Sequence, residues 1–266
     1  MTGTTPQSGY APVNGLQMYY EIHGEGEPLV LLHGAFGSVG LWGSILETLA
    51  ANRQVIAVEL QGHGHTADID RPLTYEQFVE DTAALMEHLG VAHADVVGYS
   101  LGGITALGFA IKHPDRVRKL AVVGANYNNE GYYPESLAAI QTLTPELFAG
   151  SPPEVAYKEV APNPEAFPTL VTKIVALDKA FAGWREEDLQ AIEAPALIIN
   201  GDSDIRPEHA VALFRLLGGG VSGDIVGMPR SRLAILPGTT HVGLVVERSD
   251  WLLAMTEEFL AAPMPE

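Results

Sequence analysis

The chain has 266 residues, 47% of them hydrophobic, which is enough to bury a large core, and α/β folds of this length commonly form a single unit. Its 15 basic and 33 acidic residues give a net charge of −18, which repels nucleic-acid phosphates and anionic lipid surfaces, so we expect neither nucleic acid nor membrane as a partner. Cysteine is absent, which excludes disulfides, thiolate nucleophiles and thiolate-bound zinc.

The first residues, MTGTTPQSGYAPVNG, have neither the basic start nor the apolar centre of a secretory signal peptide, and no run approaches the about 18 apolar residues of a membrane span. We therefore expect a cytoplasmic protein. Asn14 and Gly15 supply the positive φ angles of a tight turn between two β-rich runs, GYAPV and LQMYYEI. This pattern predicts an N-terminal antiparallel hairpin.

Beyond the hairpin, short β-rich runs alternate with helical patterns or longer inserts. The runs are PLVLL (28–32), QVIAV (54–58), DVVGY (95–99), KLAVV (119–123), PALII (195–199) and RLAIL (232–236). One helix is marked by the capping-box spacing of Thr74 and Gln77 and is closed by Gly90. Another begins directly after Ser100 and ends near Pro114. Buried strands joined by helical crossovers predict an α/β fold with a mostly parallel sheet.

The alternation is interrupted between about residues 126 and 191. We interpret residues 126–191 as a lid inserted after the sixth strand, and residues 1–125 and 192–266 as the core domain. Eight aromatic residues fall in this quarter of the chain, and we predict that several line an apolar substrate pocket. The pocket candidates are Tyr127, Tyr132, Phe148, Phe181 and Trp184. The alternative is that these rings only pack the lid onto the body.

Ser100 stands in DVVGYSLGG, where a predicted strand passes directly into a predicted helix. Side chains at positions 98 and 102 would collide as strand and helix approach each other, and glycine at both positions removes the collision. Such a turn lifts the hydroxyl out of the sheet edge and points the first N–H groups of the helix at the same space. That arrangement suits a nucleophile that forms an oxyanion beside it.

A serine nucleophile needs a neighbouring base, and the chain has nine histidines. Four lie on predicted helices or at their ends, where we expect solvated surface positions, namely His88, His93, His113 and His209. His33 and His63 lie in loops after strands, where we expect them to fix loop geometry by hydrogen bonding. His241 follows a strand, and nothing helical is expected before Ser249, so its ring can reach over the carboxyl edge of the sheet. We therefore predict His241 as the base.

Two aspartates in LIINGDSDIRPEHA, Asp202 and Asp204, qualify by position as the acid partner of the base. The order serine, aspartate, histidine is expected when successive strands of a parallel sheet each deliver one group. If Gly201 ends the strand, Asp202 begins the turn and can accept hydrogen bonds from backbone N–H groups. Asp204 is then better placed to reach His241.

These motifs together resemble the α/β-hydrolase family over nearly the whole chain. The matching segments are PLVLLHGAFGS, VIAVELQGHGHT, DVVGYSLGG, ALIINGDSDIRP and LPGTTHVG. The resemblance implies a doubly wound sheet, and its G-x-x-D pattern maps onto Gly201 to Asp204, which favours Asp204 as the acid. It also implies an oxyanion hole built from the backbone N–H groups of Leu101 and of Ala35 or Phe36.

The sequence departs from the family pattern in one loop. Glu59 and Gln61 stand where relatives usually carry an aspartate and an arginine. We expect this loop to be mainly structural, so the assignment of the catalytic residues is little affected.

Some members of the family, the dehalogenases and epoxide hydrolases, use an aspartate as nucleophile. Ser100 argues against both activities, because a serine alkylated by a halide would form a stable ether. We therefore expect a carboxylesterase-like serine hydrolase that forms an acyl-enzyme on a small, largely apolar ester. A carbon–carbon bond hydrolase, a lactonase or a perhydrolase with the same triad remains an alternative, as does a non-catalytic ligand receptor.

No cofactor and no metal ion are predicted. GGGVSG (218–223) fits a dinucleotide-binding pattern formally, but it follows a helical segment rather than a strand. No two histidines have the spacing of a helix-borne zinc site, and the segment after DSD lacks the remaining oxygen ligands of a calcium loop.

Overall fold

A computed structural model of the protein describes residues 6–264. Its strands are β1 (Gln7–Val13), β2 (Leu16–His23), β3 (Glu27–Leu32), β4 (Arg53–Val58), β5 (Ala94–Tyr99), β6 (Val117–Val123), β7 (Ala196–Gly201) and β8 (Arg232–Leu236). They form one sheet in the order β1-β2-β4-β3-β5-β6-β7-β8. β2 runs antiparallel to both β1 and β4, and the remaining pairs are parallel. The predicted mostly parallel sheet is confirmed.

The N-terminal hairpin is also confirmed. Asn14 and Gly15 have φ angles of 47° and 86°, as a tight turn between twisted strands requires, and Val13 pairs with Leu16 across it. The backbone of the turn therefore fixes the register of the first two strands.

Helices cover both faces of the sheet. They are α1 (Gly43–Leu49), α2 (Tyr75–His88), α3 (Leu101–Lys112), α4 (Pro134–Gln141), α5 (Pro152–Val160), α6 (Phe167–Ala180), α7 (Glu186–Gln190), α8 (Pro207–Leu216), α9 (Gly223–Val226), α10 (His241–Val246) and α11 (Ser249–Ala261). Along β3, Val30 and Leu32 enter the core layer that contains α2 and α3, whereas Leu29 and Leu31 enter the layer that contains α1, α10 and α11. The sheet is therefore doubly wound. No helix within residues 6–264 has both the length and the apolar character needed to cross a bilayer.

Helices α4 to α7 lie between β6 and β7, in the segment that the sequence analysis interprets as a lid, and we keep the name lid for this segment. Its two ends are joined by a hydrogen bond of 2.8 Å from the Trp184 backbone N–H to the Tyr127 carbonyl oxygen. The indole N–H of Trp184 donates to the Ile104 carbonyl in α3 at 2.9 Å, and Lys173 pairs with Asp68 at 2.7 Å. These contacts hold the lid against the carboxyl edge of the sheet.

The expectation of a solvated His209 is wrong. The ring of His209 is buried because it stacks on Tyr127, with ring centroids 4.2 Å apart, and its Nε2 accepts the Tyr127 N–H at 3.3 Å. Burial lowers the pKa of His209 to about 4, so the ring is neutral at pH 7. His88 and His93 are exposed and His113 is half-buried.

Candidate active site

Ser100 lies on a strained turn between β5 and α3. Its φ of 56° and ψ of −121° are costly for any residue with a side chain, by about 1–3 kcal/mol. Three backbone hydrogen bonds hold this conformation: the Ser100 N–H donates to Val123 at 2.8 Å, and the Ser100 carbonyl accepts from Gly103 at 2.8 Å and Ile104 at 3.0 Å. The turn is thus fixed from both sides, and the side chain is left free of any capping role.

Glycine is required on both sides of this serine. A Cβ atom on Gly98 would lie 2.1 Å from the Gly102 carbonyl oxygen, and a Cβ atom on Gly102 would lie 2.1 Å from the Leu32 carbonyl oxygen. Both distances are far below van der Waals contact. The close approach of strand and helix that the sequence predicted is therefore present in the structure.

Three side chains from separate strand ends meet at this edge of the sheet. The Ser100 hydroxyl lies 2.9 Å from His241 Nε2, and His241 Nδ1 lies 2.7 Å from Asp204 Oδ1. A carboxylate can only accept, so Nδ1 carries the proton and Nε2 accepts from the serine hydroxyl. The Asp204 side chain is only 4% exposed, whereas that of His241 is 40% exposed, so the base can exchange protons with solvent.

Asp202 and Asp204 have different environments. The Asp202 carboxylate accepts hydrogen bonds from the backbone N–H groups of Gly238 at 2.9 Å and Thr239 at 3.1 Å, and these bonds lower its pKa. Asp202 thus ties the loop after β7 to the loop after β8, which brings Asp204 and His241 together. The loop after β8 is shorter than expected, because α10 begins at His241 itself rather than at Ser249. The expectation of a helix-free segment was wrong.

Tyr99 is a further residue at this site that the sequence analysis did not identify. Its ring stacks on that of His241, with centroids 5.0 Å apart, and its hydroxyl donates to the His241 carbonyl oxygen at 3.0 Å. Tyr99 therefore holds both the ring and the backbone of the histidine. The sequence offered one signal for this residue, which is its position directly between Gly98 and Ser100.

The loop after β3 lies directly beside Ser100. A Cβ atom on Gly34 would be 3.1 Å from the Ser100 Cβ atom, and Phe36 has a φ of 61°. His33 shapes this loop, because its Nδ1–H donates to the Gly34 carbonyl at 2.8 Å while Nε2 accepts the Leu60 N–H at 3.2 Å. Burial lowers the pKa of His33 to about 4, which keeps the ring in the neutral form that can make both bonds.

Of the three residues predicted to form an oxyanion hole, Ala35 and Phe36 follow Gly34 in the loop beside Ser100, and Leu101 directly follows Ser100. Within residues 6–264, the backbone N–H groups of Ala35, Phe36 and Leu101 donate to no protein acceptor. Leu101 is the first residue of α3, where an N–H group has no partner within the helix.

The predicted pocket residues divide into two groups. The ring of Phe148 lies 4.7 Å from that of Phe36, and Tyr132 is close enough for the charge of Asp204 to raise its pKa in addition to burial. The Phe181 ring packs at a tilt of 57° against Tyr75, with ring centroids 4.4 Å apart. Tyr127 and Trp184, in contrast, are buried against His209 and the backbone of α3, and these contacts match the alternative in which the rings pack the lid onto the body.

No grouping of three or more histidine, cysteine or acidic side chains suited to a metal ion occurs in the described part of the chain.

Comparison with known proteins identifies the family. The sequence model described as alpha/beta hydrolase fold matches residues 27–166, more than half of the chain. The protein belongs to the α/β-hydrolase fold family. A putative carbamate hydrolase, RutD, of Azorhizobium caulinodans is 28% identical over 212 residues, 73% of this chain and 80% of that protein. A pimeloyl-(acyl-carrier protein) methyl ester esterase of Vibrio atlanticus is 28% identical over 218 residues, 76% of this chain and 79% of that one.

The likeness of fold extends to solved structures. The crystal structure of an enol-lactonase from Burkholderia xenovorans superposes with a TM-score of 0.71, covering 95% of this chain and 100% of that one at 22% identity. The shared architecture thus covers nearly the whole chain.

The loop after β4, in which Glu59 and Gln61 depart from the α/β-hydrolase pattern, makes several buried hydrogen bonds. Glu59 is buried and accepts hydrogen bonds from the Val39 backbone N–H at 3.1 Å and from the backbone and side chain of His65. Gln61 is also buried and donates to Asp68 at 2.7 Å. These contacts shape the loop after β4, and Asp68 of this loop in turn pairs with Lys173 of α6.

Proposed function

We propose that the protein is a serine hydrolase that cleaves the carboxylic ester of a small, largely apolar molecule. The hydrogen-bonded series Ser100, His241 and Asp204 carries the proposal. In this series, His241 can act as the base for the serine, and Asp204 can hold the histidine in the tautomer that accepts the proton. A serine hydroxyl is a weak nucleophile until a base takes its proton, and the imidazole needs a carboxylate to fix its tautomer and stabilise its charged form. The similarity to a methyl ester esterase agrees with this reaction class.

In the acylation step, Ser100 Oγ attacks the ester carbonyl and its proton passes to His241 Nε2. The carbonyl oxygen becomes an oxyanion, which the N–H of Leu101 and that of Ala35 or Phe36 stabilise. The intermediate collapses, the bond to the alcohol breaks, and the alcohol leaves with the proton from His241. An acyl-enzyme and a free alcohol result.

Deacylation repeats these steps with water as the nucleophile. His241 removes a proton from water, the hydroxide attacks the acyl carbonyl, and the proton returns to Ser100 as the acid is released. Removal of one oxyanion donor typically costs about 10²–10³ in rate, so the two sides of the hole contribute substantially to the barrier reduction.

The acyl group is expected to meet an apolar surface near the nucleophile. The rings of Phe36, Phe148 and Phe167 pack together within 6.0 Å of one another beside the serine. Among the lid's cations, Lys158, Lys173 and Arg185 are each paired with an acidic residue. An anionic acyl group would lose its hydration there without gaining a cation, so uncharged acyl groups are favoured over anionic ones.

A test of this proposal uses p-nitrophenyl esters of short and medium chain length. Wild-type protein should show a burst of nitrophenol and steady turnover, and a serine-reactive phosphonate should label it at Ser100. Ser100→Ala should abolish both while leaving the melting temperature unchanged. Labelling of Ser100→Ala at another serine, with turnover retained, would refute the assignment. Ligand-induced thermal shifts without turnover of any ester, lactone or carbamate would favour a receptor.

A further inference from the structure

Tyr99 presents one face of its ring to the imidazole of His241. The two ring centroids lie 5.0 Å apart, and the ring planes are inclined to each other by 25°. The arrangement is close to parallel stacking, so the imidazole lies against the π face of the phenol rather than against its edge. Tyr99 is 5% exposed, so this face is shielded from bulk water.

The orientation of the Tyr99 ring is fixed from three sides. A Cβ atom on Gly34 would lie 3.0 Å from Cδ1 of the ring, and a Cβ atom on Gly124 would lie 3.1 Å from Cε2 on the opposite edge. The backbone therefore approaches the ring closely at both edges. At the third side, the hydroxyl group donates to the His241 carbonyl oxygen at 3.0 Å. These contacts leave the face of the ring, and not an edge, for the imidazole.

The imidazole has two polar partners besides this aromatic face. Its nitrogens contact the Ser100 hydroxyl and the Asp204 carboxylate, and Asp204 is the ion-pair partner of His241 within residues 6–264. Burial, followed by the charge of Asp204, raises the pKa of Tyr99 far above its ordinary value, so the phenol stays neutral. A neutral phenol keeps the hydrogen atom that it donates to the backbone.

Other charges lie further along the chain from the imidazole. Helix α10, which begins at His241, packs against β7 and α11, and β7 has no charged side chain. The charged residues at the end of α10, in the link to α11 and on α11 are Glu247, Arg248, Asp250, Glu257 and Glu258. All of them come after the first turn of α10, and Arg248 lies over the Trp251 ring, 4.9 Å from its centroid. Among the described residues, Ser100, Asp204 and Tyr99 therefore define the contacts of the imidazole ring.

The imidazole becomes positively charged during the proposed reaction. When His241 takes the proton of Ser100, the neutral ring becomes an imidazolium, and it becomes neutral again when the proton passes to the leaving alcohol. The face of an aromatic ring carries negative potential and attracts a cation within about 6 Å of its centroid. A neutral imidazole gains little from this attraction. The contact is therefore stronger in the transition state than in the ground state, which is the condition for an interaction to raise kcat.

We propose that Tyr99 is a positioning residue whose π face also stabilises the imidazolium form of His241. This inference rests on the proposed ester hydrolysis and adds a further group to the stabilisation of its transition state, beside the Asp204 carboxylate and the oxyanion donors. The hydroxyl group of Tyr99 has a separate task, which is to hold the first turn of α10.

The experiment changes the charge distribution of the ring and keeps its shape. Tyr99→Phe removes the hydroxyl group and serves as the reference. Replacement of Tyr99 by pentafluorophenylalanine then reverses the potential of the face, because fluorine withdraws electron density from the ring. Phe109, a buried residue of α3 whose ring lies 5.3 Å from that of His113, receives the same replacement as the matched control. The readouts are kcat and kcat/KM for p-nitrophenyl hexanoate as a function of pH, with the melting temperature of each protein.

Relative to Tyr99→Phe, the pentafluoro variant at position 99 should lose at least about threefold in kcat. The midpoint of the acid limb of kcat/KM should move to lower pH by at least about half a unit, because the protonated base is disfavoured. The Phe109 control should differ from wild type in neither quantity. Equal kcat values and equal midpoints in Tyr99→Phe and in the pentafluoro variant would overturn the inference, and so would an equal shift in the control.

A smaller perturbation is available if the pentafluoro variant does not fold. Monofluorinated and difluorinated phenylalanines at position 99 weaken the same face in smaller steps. The value of kcat should then fall with each added fluorine, and values that do not depend on the number of fluorines would contradict the inference.

A titration that needs no turnover separates this inference from the proposed function. If wild type hydrolyses no ester, the hydrolase proposal fails, and NMR of the His241 ring, assigned with His241→Gln, still follows its protonation. The midpoint of this titration should be lower in the pentafluoro variant than in Tyr99→Phe by at least about half a unit, while the exposed His88 titrates identically in both. The same His241 midpoint in both proteins refutes the role of the π face, whatever the activity assay shows.

Discussion

Replacement of Asp204 by asparagine tests the proposed triad most directly. The substitution keeps the shape of the side chain but places an amide 2.7 Å from His241 Nδ1. If the amide NH₂ group faces the ring, Nδ1 must accept, the proton moves to Nε2, and the ring can no longer take the proton of Ser100. Loss of the correct tautomer in such triads costs about 10⁴ in turnover, or about 5.5 kcal/mol of transition-state stabilisation. Stability should change little, because Asp204 Oδ2 has no partner to lose.

Asp202→Asn is the matched control, since it makes the same chemical change two residues away. Its carboxylate accepts from Gly238 and Thr239, so the amide would lose one acceptor and direct an N–H group at another donor. We expect a melting temperature lower by a few degrees and most of the turnover retained. Both variants are measured for kcat on a p-nitrophenyl ester and for thermal unfolding. An inactive Asp202→Asn beside an active Asp204→Asn would show that the acid is assigned wrongly.

Three further outcomes are expected. Gly98→Ala should fail to accumulate as folded protein or should lose activity together with stability, because its Cβ would meet the Gly102 carbonyl oxygen at 2.1 Å; a stable, active variant would show that strand and helix are not so close. Acidification from pH 7 to pH 5 should lower the free energy of unfolding by about 2 kcal/mol for each of His33 and His209. Their pKa values in the folded protein, near 4, lie below the value in the unfolded chain, so the unfolded chain takes up protons that the folded protein does not. Asp178 has a raised pKa, so its contribution to the free energy of unfolding changes in the opposite direction, by about 1 kcal/mol. Urea unfolding at both pH values measures the net change in this free energy. Stability that rises steeply on acidification would contradict the assignment of buried neutral histidines. Finally, mono-p-nitrophenyl adipate should have a lower kcat/KM than the uncharged hexanoate ester, and equal values would show that the pocket tolerates an anion.

The parts of the site that follow from local chain geometry were predictable from the sequence. Ser100, Asp204 and His241 each stand just beyond a strand whose apolar run is evident, and a parallel sheet brings such ends to one edge. The hydrogen bonds among these three side chains are the contacts that this placement anticipates. The cytoplasmic location and the absence of a cofactor stay predictions.

Other features depend on contacts between distant segments, which no local pattern records. The burial of His209 follows from stacking on Tyr127 at the beginning of the lid, more than 80 positions earlier in the chain. The helix that begins at His241 was not predicted, because glycine and valine, which make up most of this segment, have low helix propensity. In the folded protein, the burial of Leu244 compensates for this low propensity.

The joined ends of the lid have a consequence for how such enzymes diversify. Because β6 and β7 are neighbours and the Trp184 N–H bonds to the Tyr127 carbonyl, everything between these positions leaves and re-enters the body at one place. The entropic cost of closing a loop grows only slowly with its length. Insertions and deletions in this segment should therefore cost little stability, and the segment can be exchanged without changing the sheet. Grafting the segment between Tyr127 and Trp184 from another member of the family should therefore transfer substrate preference and leave the chemical steps with the recipient.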